Sequence, residues 1–299
     1  MPLLDNNLSK DLMNLRSDND EMHLDTADNE EAARKITEGF YEHEELFILY
    51  SKTTQLPFVV CDEETFEDEV FVYTDGQVLQ DFAKIYTKDK YALSSLRIVK
   101  EQIPIFLNTM FSIGADTIMF SDGGAPVRIH LEDLAGEPTY PKAPNDSIPR
   151  DNPGLQLTAI NFLQKLRRPI PDRSKAEMAE LRTLEEEMVV NMMRSKFIIV
   201  FDAEPAKEAN GQKQLRIPFV KAKNGDILQP IFTDFQEVQK FTAKMPIKHL
   251  GMTAVGYDQL TKMLGKAAKA YAINPAGINL VLNPAQIKNM KSIYGEDEE

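Results

Sequence analysis

Six carboxylates crowd into Asp62-Glu63-Glu64-Thr65-Phe66-Glu67-Asp68-Glu69. Carboxylates at that density can hold a metal cation, receive a basic partner, or keep a face solvated. A calcium loop needs oxygens at alternating positions and a glycine for its sharp turn, and this run has neither. Two readings stay open: a solvated loop, and a carboxylate surface for a basic protein, with Asp62, Glu63, Glu64, Glu67, Asp68 and Glu69 as the candidate partner-binding residues.

A second candidate is the turn Asn274-Pro275-Ala276-Gly277, placed after a short apolar strand. As a purely structural turn, Gly277 takes positive φ, Pro275 pre-sets its own φ, and the Asn274 side chain bonds the local backbone. As a ligand site, it sits where α/β proteins hold small molecules, at the end of a sheet strand. On that reading the ligand-binding residues are Asn274, Pro275 and Gly277, with Thr233 and Asp234 at a neighbouring strand end. The counterpart Asp122-Gly123-Gly124 lacks a following helix N-terminus and reads as a hairpin turn.

Other reactive side chains point away from catalysis. His23, His43, His130 and His249 contain no pair at i+3 or i+4, so no helix presents a two-histidine metal site. Cys61 is the lone cysteine. It excludes an intramolecular disulfide, reads as a buried strand-end residue, and lies beside carboxylates that oppose thiolate formation. No Gly-x-Gly-x-x-Gly, P-loop or nucleophile-elbow pattern occurs. No catalytic residue, metal site or cofactor is expected.

Lys165-Leu166-Arg167-Arg168 ends a helix, where cations suit the dipole. The lysines from Lys262 to Lys269 lack the interleaved aromatic rings that single-stranded nucleic acid requires. The formal charge of −13 also disfavours nucleic acid and anionic lipid. The first 150 residues carry 13 basic and 29 acidic side chains, the remainder 21 and 18. The acidic half is therefore where a protein partner or small molecule is to be sought. No apolar run approaches the ~20 residues of a membrane helix, and the start lacks the basic head and apolar stretch of a secretory signal. The expected compartment is the cytoplasm.

The elements that position these residues come in two similar sets, as 299 residues at roughly 150 per domain allow. Residues 1–26 read as a polar, partly disordered arm. Domain 1 spans 27–135, a proline-rich linker 136–154, and domain 2 155–292. Each domain opens with an amphipathic helix. The first starts near Asp28 with Glu31 in a capping box and buries Ala32, Ala33, Ile36 and Phe40; the second starts at Ser174 with Glu177 and buries Met178, Leu181, Leu184, Met188 and Met192. Apolar strands follow at Phe47–Tyr50 and Ile198–Phe201. Leu56-Pro57-Phe58-Val59 matches Ile217-Pro218-Phe219-Val220, and Tyr73-Thr74-Asp75 matches Phe232-Thr233-Asp234. Thr74/Gln77 and Thr233/Gln236 have the spacing to cap the next helices. At an offset of 153, Leu107, Met110 and Phe111 fall on Leu260, Met263 and Leu264, and Val127 and Ile129 on Leu280 and Leu282. The fold class is α/β with mixed α+β content: two related domains, each a mixed sheet of about five strands covered by helices.

The second half resembles the SseB (enhanced serine sensitivity) family. The resemblance is carried by Pro230-Ile231-Phe232-Thr233-Asp234 and by Ala272-Ile273-Asn274-Pro275-Ala276-Gly277 running into Ile278–Leu282. It covers about 156–290, and a weaker form covers 28–135, where Ser121-Asp122-Gly123-Gly124 stands in place of the Asn-Pro-Ala-Gly turn. It implies a bacterial protein with tandem domains and no established reaction. With no catalytic constellation and a marked charge asymmetry, the expected function is that of a non-catalytic protein- or ligand-binding module. The alternative is a regulator or enzyme of amino-acid (serine) metabolism that holds a small ligand at Asn274–Gly277.

Overall fold

The computed structural model describes residues 38–124, 126–207 and 213–294. The chain divides into two units, Met1–Thr139 with Arg167–Pro171, and Tyr140–Leu166 with Asp172–Glu299. The expected polar arm, the first helix up to residue 37 and His23 lie outside the described residues. Both units mix strands and helices in an α/β arrangement.

The first unit contains β1 (Glu45–Ser51), β2 (Leu56–Pro57), β3 (Val59–Cys61), β4 (Asp68–Tyr73), α1 (Gly76–Phe82), α2 (Lys84–Lys88), β5 (Leu93–Val99), α3 (Ile103–Ile113), β6 (Thr117–Ser121), β7 (Val127–His130) and α4 (Leu131–Ala135). Its spine runs β5-β1-β4-β6-β7, with β2 added to β1 and β3 to β4. β4 and β6 are parallel and the other pairs antiparallel. Alternation along these strands makes two apolar faces. On one, Ile48, Val70, Val72, Ile118, Phe120, Val127 and Ile129 are sealed from solvent, and the Phe40 ring lies 5.3 Å from Phe120. On the other, Leu49, Phe58, Phe71 and Tyr73 pack with Leu79 and Ala83 of the α1–α2 segment. Each such ring or aliphatic side chain contributes roughly 1.5–3 kcal/mol through burial.

The second unit contains α5 (Pro153–Leu166), α6 (Lys175–Arg194), β8 (Lys196–Lys207), β9 (Lys213–Arg216), β10 (Val220–Lys221), β11 (Ile227–Ile231), α7 (Phe235–Lys244), β12 (Leu250–Gly256), α8 (Leu260–Met263), β13 (Ala270–Ile273), β14 (Leu280–Leu282) and α9 (Pro284–Tyr294). Its strands form two ladders, β10-β11-β13-β14 and β12-β8-β9. A single antiparallel bridge, Ile198 with Phe232, joins them through backbone bonds of 2.7 and 3.0 Å.

The two units repeat one pairing scheme. Phe47 faces Tyr73 as Ile198 faces Phe232. Val72 faces Phe120 as Ile231 faces Ile273, both in parallel pairs. Phe120 faces Val127 as Ile273 faces Leu280. Two details differ from the sequence alignment. Val60 pairs with Glu69 as Val220 pairs with Leu228, so the two apolar-Pro-Phe-Val segments are equivalent one residue out of step with their sequence match. The Gln102 side chain accepts from Val99 N–H, and Gln259 does the same for Gly256, which makes Ile103 the counterpart of Leu260. The gapless alignment of Leu107 with Leu260 is therefore one helical turn out. Between the start of this helix and the strand after it the second unit is four residues shorter, about one turn, and a one-turn shift leaves an apolar face unchanged.

Local capping follows the sequence in places. Ser174 and Glu177 form the expected capping box, and Asn283 and Gln286 form another with Pro284 at the first helical position. Leu181, Met188 and Met192 are buried, but Met178, in the first turn of α6, is exposed. The threonines do not cap α1 and α7. Asp75 accepts from Gln77 and Val78 N–H, and Asp234 from Glu237 N–H, because a carboxylate one residue later meets the positive helix end more strongly. The proline-rich stretch is fixed to the units it belongs to. Thr139 N–H donates to Asn108 Oδ1 in the first, while Ile148 sits in the core of the second with Val238 and Phe241.

Candidate functional site

The acidic run is the loop that joins β3 to β4 together with the first two residues of β4. Asp62 N–H donates to the Glu67 carbonyl and closes the loop at its base. Asp62 Oδ1 accepts from Glu64 N–H, Thr65 N–H and the Thr65 hydroxyl, and those backbone donors hold its carboxyl below the usual carboxylate range.

Arg128, on β7, secures the loop from the sheet. Glu69 pairs with Thr117, Met119 with Arg128 and Thr117 with His130, so Glu69, Arg128 and His130 share one sheet face. The guanidinium meets Glu69 at 2.6 Å, Glu67 at 2.8 Å and Asp62 at 3.4 Å, and His130 Nδ1 lies 3.5 Å from Glu67. Burial pushes the Glu69 carboxyl up despite the arginine. The six candidate carboxylates thus separate by role. Asp62, Glu67 and Glu69 turn onto Arg128, Asp68 N–H donates to Asp116 Oδ1, and Glu63 and Glu64 face solvent. Beside them Phe66 holds a left-handed φ of 60° and leaves 78% of its surface exposed. Neither Arg128 nor Phe66 stood out in the sequence. The one available signal for Arg128 was its polar side chain alternating with Val127 and Ile129.

In the second unit, Thr233, Asp234 and Asn274 come together and are buried, while Pro275 and Gly277 are half-buried on the same turn. Asn274 Oδ1 accepts from Thr233 N–H at 3.0 Å, and its Nδ2 donates to the Thr233 hydroxyl at 2.8 Å. The Thr233 hydroxyl is 2.6 Å from Asp234 Oδ2, and Gln156 Nε2 donates to both at 3.2 Å. Positive φ falls on Asn274 at 47° and Asn279 at 49°, whereas Gly277 is not in that region. Its lack of a side chain serves close approach instead. A Cβ on Gly277 would lie 2.6 Å from Glu237 Oε2. Glu237 is buried, pairs with Lys240 at 2.6 Å through Oε1, and has no hydrogen-bond partner for Oε2 among the described residues. Burial pushes its carboxyl up.

The remaining candidates are placed as follows. Cys61 is exposed rather than buried, because β3 pairs with β4 alone among the described strands and ends at that residue. His130 closes β7, and His249 lies 3.2 Å from Glu204 just before β12. His43 is half-buried, which lowers its pKa. Arg167 and Arg168 do more than suit a helix end. Arg167 donates to the Thr53 carbonyl, and Arg168 donates to the Asp89 carbonyl and stacks over Tyr91 at 4.9 Å, all within the first unit. Among the described residues no group of three His, Cys, Asp or Glu is placed to hold a metal, and no helix is long and apolar enough to cross a membrane.

No family model matches the chain, and no curated protein does. Two solved structures are similar to it. Anabaena Tic22, described as a protein-transport protein, is 11% identical over 87% of this chain and 97% of its own, with a TM-score of 0.19. Tic22 from Plasmodium falciparum is 13% identical over 86% and 96%, with a TM-score of 0.17. Likeness at these scores carries no weight for fold or function.

Proposed function

We propose that the chain is an SseB-like, non-catalytic binding protein whose acidic first unit receives a basic segment of another protein through the Asp62–Glu69 loop. The observation that carries this reading is the arrangement around Phe66. Arg128 and the Asp62 turn tie the loop down, and the same loop carries the exposed Phe66 ring and the exposed carboxylates Glu63 and Glu64. A ring face attracts an arginine or lysine, and adjacent carboxylates supply the longer-range attraction. An apolar surface with that charge suits a short segment alternating basic and aliphatic residues.

Site-specific photo-crosslinking tests it. A photoreactive phenylalanine at position 66, in the cells that make the protein, should capture a partner at a Lys/Arg-rich segment, and E63Q/E64Q should abolish capture. The same probe at Ile105, an exposed apolar residue on α3, is the control. Equal capture from both positions would overturn the proposal.

A further inference from the structure

A groove of about 380 Å³ lies between the α1–α2 segment and the β1–β5 pair of the first unit. Its helical wall is Gln80, Ala83, Lys84 and Thr87, spaced i, i+3, i+4 and i+7, and therefore one continuous stripe. Its sheet wall follows from register. Leu49 pairs with Ser95 and Ser51 with Leu93, which puts Leu49, Leu93 and Ser95 on the face that α1 and α2 cover.

The charge in this groove is opposite to that of its surroundings. In the half of the chain rich in carboxylates, the groove is lined by two lysines, Lys52 and Lys84, and by no acid. Lys84 meets Asp81 at 2.6 Å in a solvent-exposed ion pair. Lys52 has no carboxylate partner among the described residues. The Ser95 hydroxyl is shielded from water and bonds to nothing among them. A buried hydroxyl without a partner is costly, and an acceptor brought to this groove would satisfy it. The floor is apolar, with Leu49 and Ala83 buried and Leu93 half-buried.

We infer that this groove binds a small organic monocarboxylate with a short aliphatic tail. The carboxylate lies between the ammonium groups of Lys52 and Lys84 and accepts from the Ser95 hydroxyl once that rotor turns outward, while the tail lies on Leu49, Ala83 and Leu93. The apolar floor argues against inorganic phosphate and the two ammonium groups against an amine. The site is separate from the Asp62–Glu69 loop and does not depend on the reading proposed for it.

Hexanoate is the probe, titrated into the ¹⁵N-labelled full-length chain up to roughly 20 mM, a range suited to a ligand of this size. Amide shifts are expected at Lys52, Ala83, Lys84, Leu93 and Ser95. K52Q and K84Q should each weaken binding about ten-fold, and S95A by about five-fold without lowering Tm, since its hydroxyl has no bond to lose. D81N, which frees Lys84, should tighten binding. Hexan-1-ol and inorganic phosphate, each lacking one half of the match, should bind at least ten-fold more weakly. Absence of shifts at these residues, wild-type affinity in K52Q and K84Q, or equal binding of either control would overturn the inference.

Discussion

Asn274 and Thr233 hold each other through two hydrogen bonds, one to the Thr233 backbone N–H and one to its hydroxyl, across 41 residues of sequence. Both residues are fully buried. The pair fixes the end of β11 against the end of β13 at the start of α7. Removing the amide leaves the Thr233 N–H unmet in the interior, at about 1–3 kcal/mol, and empties the space the side chain filled, while the Thr233 hydroxyl keeps Asp234 and Gln156. Asn274→Gly is therefore expected to lower unfolding free energy by about 3 kcal/mol. Asn274→Ala adds the left-handed backbone penalty at φ 47°, about 1 kcal/mol more. Urea unfolding of the two variants separates lost bonds from strain.

Gly277 and Glu237 are coupled by contact. Alanine at 277 must displace the Glu237 carboxylate, so G277A is expected to cost about 1–3 kcal/mol, as overpacking does. In an E237A background the same change should cost under about 0.5 kcal/mol, since the obstructing atoms are gone. A double-mutant cycle by chemical denaturation reads the difference.

Glu237 also sets a pH dependence. Burial raises its folded pKa above the unfolded value, outweighing Lys240, while Asp234 adds to the rise. The folded state then holds the proton more tightly, so this stabilising contribution is present at low pH and lost as pH rises through the folded pKa. E237Q should remove that loss. The Tm difference between E237Q and wild type should become more positive from pH 5 to pH 8, and a difference that falls with pH would contradict the assignment.

Arg128 stabilises the acidic loop by partnering Asp62, Glu67 and Glu69 at once. R128M leaves the buried Glu69 without its cation, and a loss of about 2 kcal/mol is expected at pH 7 for this partly exposed group. Acid should shrink the loss, because protonated carboxyls no longer need the arginine. Thermal melts at pH 7 and pH 4 test this.

What was legible in the sequence was short in range. The capping box of Ser174/Glu177 and the apolar strand segments at Phe47–Tyr50 and Ile198–Phe201 act within a few residues, and the structure shows them. The repeat was legible where strands matched and misplaced where a whole helical turn was missing, because Leu107 and Ile103 occupy the same apolar stripe. Thr233 stood out as a capping residue by spacing, but Asp234 takes that place while the threonine bonds to Asn274. The acidic run was visible; its division by Arg128 was not, since that contact spans 59 residues and depends on sheet register.

The most direct test of the acidic loop as a docking surface uses a labelled hexapeptide of alternating arginine and leucine, followed by fluorescence anisotropy. F66A leaves the charge of the protein unchanged, so non-specific attraction to its carboxylates should survive that substitution. If the ring and the two outward carboxylates form one surface, F66A and E63Q/E64Q should each raise Kd by about five-fold or more, corresponding to about 1 kcal/mol. Unchanged affinity in F66A would contradict the account.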